Sequence, residues 1–222
     1  IPLLLEKAKV ADFIMDRLEL SPRKDPDWKH WKRLVEQTKK EKPSVTIALV
    51  GKYVELHDAY ISVREALKHA ALALGVEIGI KWIHSVDLEK PGVEKMLSGV
   101  HGILVPGGFG SRGIEGKIKA IRYARENKIP YFGLCLGMQL QVVEFARMIF
   151  KNEKANSSEF NRSTPYPVID LMPDQKEIIN LGGTMRLGIY PCRLAPDTIA
   201  QKAYNADEVN ERHRHRFELN NQ

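Results

Sequence analysis

Ile129–Gln139, with the sequence IPYFGLCLGMQ, is the stretch that decides the fold of this chain. A short apolar strand leads into Gly-x-Cys-x-Gly and then into an amphipathic helix, which is the thiol form of the nucleophile elbow. Gly133 and Gly137 have no Cβ, so backbone can pass close to Cys135 on both sides. The N-terminus of the helix carries partial positive charge and free N–H groups, which favour a thiolate and can hold an oxyanion. The stretch therefore predicts that Cys135 attacks a carbonyl carbon.

Strands and helices alternate along most of the chain around this elbow. The predicted elements before it are strands over 45–50, 76–83 and 102–106 and helices over 59–74 and 116–127. The helix after Cys135 is predicted to run to about residue 149. This alternation is typical of a mostly parallel sheet with helices on both faces, so we expect a three-layer α/β fold. A Gly-rich turn at 107–110 directly follows a strand, which is where open α/β sheets place their sites.

The first 43 residues have a different pattern. Helical spacing over 8–20 is broken by the Pro-containing stretch 21–26, and a second, highly charged helix is predicted over 28–40. We interpret this segment as a connector that docks onto a larger body. Because the chain begins with Ile rather than Met, we expect a fragment or a processed form.

Composition excludes several classes of function. The chain has 222 residues, of which 43% are hydrophobic, enough for one large domain with or without an appendage. It has no run of about 18 apolar residues, so no membrane span is predicted. The net charge of +6 indicates a solvated basic surface or an anionic small-molecule site, and no basic stripe interleaved with aromatics points to nucleic acid. Two cysteines argue against a disulfide framework and favour a cytoplasmic location.

The two cysteines are interpreted differently. The turn glycines favour Cys135 as a nucleophile over the alternative of a small buried hydrophobe. Cys192 has no such glycines, and we expect it to pack in the core near a strand predicted over 184–194. The pair Gly107-Gly108 could present N–H groups that form an oxyanion hole with the N–H of Leu136, although a simple turn explains the pair equally well.

A thiol nucleophile needs a proton carrier, and the chain has seven histidines. His215 and Glu218 could form a pair next to the sulfur, as in a catalytic triad. We interpret the segment 211–218 instead as a charged surface or an anion-binding edge.

At this point the motifs indicate a family. Pro106–Gly110 together with Gly133–Gln139 resembles the class I glutamine amidotransferases. Further stretches are similar to the CTP synthase family within that class, namely Leu49–Tyr53, Asp58–Tyr60, Ala155–Phe160, Gly182–Gly188 and Arg212–Glu218. The resemblance implies that residues 1–43 are the end of a synthetase domain with its linker. It also implies that residues 44–222 are an amidotransferase domain whose C-terminal part is missing.

The resemblance implies a role for each matching residue. Cys135 would attack the side-chain amide of L-glutamine and release ammonia, while Gly107 and Leu136 donate backbone N–H groups to the oxyanion. The residues expected to surround the rest of the glutamine are Gly108, Phe109, Gln139, Glu159 and Arg216. A carboxylate suits the α-ammonium group and an arginine suits the α-carboxylate, which supports this division.

The resemblance also implies partners outside this domain. In the CTP synthase family a synthetase domain uses ATP and Mg²⁺ to aminate UTP to CTP, GTP activates the glutaminase half, and the enzyme is a homotetramer. We expect no cofactor and no metal in this domain, and no nucleic acid or membrane partner. The segment 109–116 is similar to a lid linked to the activation, with Arg112 and Glu115 exposed on it.

One departure from the family pattern concerns the proton carrier. The class I enzymes have a His-x-Glu pair beyond the position of Arg212–Arg216, and the sequence to Gln222 contains none. We therefore expect this chain alone to hydrolyse glutamine poorly.

Three alternatives stay open: an amidotransferase subunit of another pathway such as GMP synthesis, a non-catalytic regulatory module of the same fold, and redox sensing by Cys135.

Overall fold

The chain folds into two compact units in a computed structural model. The model describes residues 1–21, 27–175 and 188–221. One unit comprises Ile1–Val45 and Ser62–Gly79, and the other comprises Thr46–Ile61 and Ile80–Gln222. The first unit therefore includes a helical segment of the predicted amidotransferase part, and the domain boundary after residue 43 stays a prediction.

Eight α-helices and nine strands occur in the described residues. The helices are α1 (Pro2–Lys7), α2 (Val10–Arg17), α3 (Lys29–Thr38), α4 (Ile61–Leu74), α5 (Val93–Leu97), α6 (Ile114–Glu126), α7 (Leu136–Phe150) and α8 (Ile199–Tyr204). The strands are β1 (Ser44–Gly51), β2 (Glu77–His84), β3 (Gly102–Val105), β4 (Tyr131–Gly133), β5 (Asn156–Ser157), β6 (Pro167–Leu171), β7 (Gly188–Arg193), β8 (Glu208–His213) and β9 (Phe217–Leu219). The elements predicted between residues 45 and 149 are all present, with ends shifted by a few residues.

The main sheet has the strand order β2-β1-β3-β4. The pairs β1–β3 and β3–β4 are parallel, which confirms the predicted parallel sheet. All four residues of β3 are buried, as expected for a central strand of a covered parallel sheet. The carboxyl ends of β3 and β4 are neighbours, and they lead into the Gly-rich turn at 107–110 and into Cys135. The topology thus brings the two predicted halves of the site together.

Helix α6 separates two apolar clusters of the second unit. Its small residues Ala120 and Ala124 pack with sheet residues such as Val105, because small side chains allow helix and sheet to approach closely. Its larger residue Ile118 packs with Leu140 of α7 and with other residues of the second cluster. These contacts fix the start of α7, and therefore Cys135, against the sheet.

Two smaller sheets follow α7. The three-stranded sheet has the order β5-β6-β9, with β5–β6 parallel and β6–β9 antiparallel. The antiparallel pair β7–β8 forms the other sheet. The expectation that Cys192 packs in the core is wrong: it is half-buried on β7 opposite Val209, because this two-stranded sheet covers its side chains only partly. Residues 184–187 of the predicted strand, and most of the matching stretch Gly182–Gly188, lie outside the described residues.

The N-terminal helices expose apolar side chains. Phe13, Ile14 and Leu18, which lie in the segment with predicted helical spacing, are 69%, 48% and 62% exposed. In the part of the chain that the structure describes, no helix combines the length and apolar character that a membrane crossing requires.

Candidate active site

The elbow predicted around Cys135 is present in the backbone. Cys135 has φ 54° and ψ −109° and immediately precedes the first residue of α7. A positive φ with this ψ is strained for any residue with a Cβ, and such strain persists only where the surroundings impose it. The half-buried thiol therefore lies at the N-terminus of a 15-residue helix.

Two glycines make this turn possible. A Cβ on Gly133 would lie 2.4 Å from the carbonyl carbon of Gly137, and a Cβ on Gly137 would lie 2.0 Å from the Val105 oxygen. Neither contact is compatible with a side chain. The hydroxyl of the half-buried Tyr131 donates a hydrogen bond to the Gly137 oxygen at 2.8 Å, and burial raises the pKa of this phenol. The two glycines of the Gly-x-Cys-x-Gly spacing therefore allow α7 to pack closely against both β4 and β3.

The predicted oxyanion donors flank the sulfur. A Cβ on Gly107 would lie 3.6 Å from Cys135 Sγ, so the Gly107 backbone borders the thiol directly. Leu136 is buried at the start of α7, where N–H groups have no acceptor within the helix. This placement fits the predicted oxyanion hole, whose function stays a prediction.

A cavity of about 160 Å³ opens at the sulfur. It is lined by Gly108, Phe109, Cys135, Gln139, Glu159, Arg214, His215, Arg216 and Phe217. Every predicted site residue except Gly107 and Leu136 lines this cavity; Gly107 borders the sulfur, and Leu136 directly follows Cys135 at the start of α7. Larger hollows occur elsewhere on the second unit, but the one at Cys135 is where reactive and charged groups converge.

The cavity is lined by one acidic residue, Glu159, and by the basic residues Arg214, His215 and Arg216. Burial raises the pKa of Glu159, and the nearby Arg216 opposes this effect. The Nε of Arg216 is buried without a hydrogen-bond partner. The amide nitrogen of Gln139 donates to the Phe217 oxygen at 2.7 Å, which fixes the side chain at the wall. An unpaired guanidinium nitrogen next to a carboxylate suits a ligand that carries both an ammonium and a carboxylate.

The small sheet β5-β6-β9 positions these two charges. Glu159 follows β5, and its N–H donates to the Ser157 hydroxyl at 3.2 Å. Arg216 precedes β9, and its carbonyl accepts from the N–H of Met172 at 2.8 Å. Because β6 pairs with both neighbouring strands, it holds residues that are 57 positions apart in sequence around one cavity.

His215 does not fit the interpretation of segment 211–218 as a charged surface, whereas the alternative of an anion-binding edge stays open. The His215 side chain is only 22% exposed and lines the cavity, so it does not belong to a charged surface. Its Nδ1 lies 3.0 Å from Glu218 Oε1. The Cys135 sulfur, and to a smaller extent the Glu218 carboxylate, raise the pKa of His215 to about 10. One signal in the sequence could have indicated this role. His215 and Glu218 are three residues apart, and they flank Arg216, which is expected to bind a carboxylate.

His213 contributes a second imidazole to this region. Its Nδ1 lies 3.7 Å from the same Glu218 oxygen. Within the described ranges, the group whose donor atoms could hold a metal ion is His213, His215 and Glu218, and these atoms lie within 4.8 Å of one another. The Glu218 oxygen is already shared by the two imidazoles.

The segment expected to form a lid is partly helical. Residues 114–116 belong to the first turn of α6, and a Cβ on Gly116 would lie 1.8 Å from the Ser85 oxygen. Glu115 is exposed as expected, but its carboxylate forms two hydrogen bonds, at 2.8 and 3.0 Å, with the buried Arg147. The lid-like part of the segment is therefore the turn before α6.

The fold and this site define a class of protein. The family model for class I glutamine amidotransferases matches residues 55–222, and the chain belongs to this family. Its curated relatives include CTP synthase of Chloroflexus aurantiacus, which is 58% identical over 221 residues, and CTP synthase of Ruminiclostridium cellulolyticum, which is 55% identical over 222 residues. These matches cover 100% of this chain but 40% and 41% of the two relatives, so the chain spans about two fifths of their length.

A solved structure supports the same placement. The glutaminase domain of Trypanosoma brucei CTPS with bound acivicin is 41% identical and has a TM-score of 0.72. The match covers 79% of this chain and 68% of that domain. The predicted family and its three-layer α/β fold are confirmed by these comparisons.

Proposed function

We propose that this chain hydrolyses the side-chain amide of L-glutamine and supplies ammonia to a synthetase domain that forms CTP. The observation that carries the first part is the cavity that joins a strained thiol to an acidic and a basic group. The relatives, which are named CTP synthase, support the second part.

The residues that line the cavity support the proposed recognition of glutamine. Arg216 would bind the α-carboxylate with its free Nε, and Glu159 would bind the α-ammonium group. An α-ammonium group nearby would also favour the ionised form of a carboxylate that burial disfavours. With both ends held, the side-chain amide is directed towards Cys135, and Phe109 closes the wall beside it.

The reaction then proceeds through a thioester. The Cys135 thiolate attacks the amide carbon, and the C=O π electrons move to the oxygen, which the N–H groups of Gly107 and Leu136 receive. The tetrahedral adduct re-forms its C=O bond and breaks its C–N bond, and the departing nitrogen takes a proton and leaves as ammonia. Water adds to the thioester, gives up a proton, and breaks the C–S bond to release glutamate and the thiolate.

His215 is the proton carrier that the described residues bring to the sulfur. With a pKa of about 10 it is protonated at neutral pH, so it can donate a proton to the departing nitrogen. Its neutral form then takes the proton of the attacking water, while Glu218 holds the ring. The alternative, that the proton carrier lies outside this sequence, stays a separate prediction. The two can be distinguished, because the alternative predicts that this chain alone hydrolyses glutamine poorly.

The whole-enzyme activity is a further part of the proposal. Residues 1–43 would lead from a synthetase domain that uses ATP and Mg²⁺ to aminate UTP, with GTP as activator and a homotetramer as the assembly. A cytoplasmic location follows from such a role and from the two free cysteines.

Names of the relatives favour this pathway over GMP synthesis. The strained backbone at Cys135 argues against a non-catalytic module, because such strain requires supporting packing.

Acivicin, a glutamine analogue, tests the proposal directly. We expect peptide mass spectrometry to find one adduct on Cys135, and we expect excess glutamine to slow its formation. Cys192 is the internal control, because it is equally half-buried but lies on a hairpin. Modification of both cysteines at similar rates, or of neither, would contradict the proposal.

A further inference from the structure

Lys117 is a buried cation that the proposed mechanism does not use. It lies on α6 and is 2% exposed, among the most deeply buried large side chains of the described residues. The ionisable groups that influence it are Lys52 and Cys135, and the described residues provide no carboxylate partner. A buried ammonium without a counter-ion is costly, so a chain retains it only where an anion or a special role compensates.

The position of this ammonium is specific. A Cβ on Gly108 would lie 3.7 Å from Lys117 Nζ and 3.8 Å from Leu136 Cδ2. The adjoining Gly107 borders the Cys135 sulfur. Lys117 therefore lies beneath the turn that presents the oxyanion donors.

A second lysine holds the same turn from another element. Lys52 Nζ donates a hydrogen bond to the Phe109 oxygen at 3.2 Å. Burial and the charge of Lys52 lower the pKa of Lys117 to about 8, and Cys135 acts in the opposite direction. At neutral pH Lys117 is therefore still mostly protonated.

We propose that Lys117 is a supporting residue whose buried ammonium stabilises the negative charge that develops beside Gly107 and Cys135 during attack on the amide. This inference rests on the proposed function. The inference explains why Lys117 lies next to the turn without a carboxylate partner, because the negative charge that balances its ammonium forms only during the reaction. A protein carboxylate in the same place would neutralise the ammonium and remove its effect on the developing anion.

The test measures acivicin inactivation of the full chain and separates the maximal rate from the half-saturating concentration. Lys117→Met should lower the maximal rate at least about tenfold and leave the half-saturating concentration within about twofold. Lys117→Arg should keep at least about a third of the rate. The matched control is Lys119→Met, two residues along α6, whose Nζ contacts the Glu89 oxygen instead, and it should stay within about twofold.

Each outcome decides the inference. A maximal rate of Lys117→Met within threefold of wild type would overturn it, as would an arginine variant as slow as the methionine variant. If Lys117→Met does not fold, wild type and Lys117→Arg are compared between pH 7 and 9. Wild type should lose rate relative to the arginine variant as Lys117 deprotonates, and parallel profiles would overturn the inference. Failure of wild type to react at Cys135 would instead defeat the proposed function.

Discussion

Removal of the His215–Glu218 pair is the perturbation with the most informative outcome. The Cys135 sulfur and, second, the Glu218 carboxylate raise the pKa of His215 from an ordinary 6.5 to about 10. Glu218 Oε1 lies 3.0 Å from His215 Nδ1, and a hydrogen bond to a charged group contributes about 2 kcal/mol. Glu218→Gln should therefore lower glutaminase kcat/KM about 30-fold. His215→Asn removes the proton carrier and should lower it about 100- to 10,000-fold.

The assay is steady-state release of glutamate from glutamine by the full chain, reported as ratios to wild type. His213→Asn is the matched control, because His213 approaches the same Glu218 oxygen but lies outside the cavity lining. It should stay within about threefold of wild type. Unchanged turnover in His215→Asn would refute the assignment. Wild-type turnover close to zero would also refute it, and would support a proton carrier in sequence beyond this chain.

Three further predictions concern stability and recognition. Gly137→Ala should lower the free energy of unfolding, measured by urea titration, by about 3 kcal/mol or more, since its Cβ would overlap the Val105 oxygen. Gly107→Ala should instead mainly slow inactivation by acivicin. His215→Gln should have a lower free energy of unfolding than wild type below pH 6.5, and the difference should disappear as the pH rises through about 10. The reason is that a group whose pKa is raised in the folded state stabilises the fold only while it is protonated. A constant difference in urea titrations from pH 6 to 10 would contradict this. Arg216→Gln should raise the KM for glutamine about tenfold or more with a smaller change in kcat, and an unaltered KM would remove Arg216 from the binding site.

The elbow and the parallel sheet could be predicted because their signals are local. Gly133, Cys135 and Gly137 lie within five residues, and the steric need for each glycine follows from one turn. The carboxyl ends of parallel strands meet at one edge of a sheet, so the sequence alone places the Gly-rich turn beside the elbow.

The rest of the site depends on distant pairing. His215 faces Cys135 because β9 pairs with β6, and no periodicity in an Arg- and His-rich segment indicates such a partner. Lys117 occupies a helix position where a lysine is usually solvated, and only the packing of α6 shows that it is buried. Cys192 was placed in a core because the sequence does not reveal that β7 pairs in a two-stranded sheet.

Acid-quenched peptide mass spectrometry after brief exposure to glutamine measures the central chemistry most directly. The structure predicts a γ-glutamyl group on Cys135 that hydroxylamine removes, with Cys192 unmodified. A glutamyl adduct on another residue, or ammonia release without any adduct on Cys135, would contradict nucleophilic attack by the thiol at the elbow.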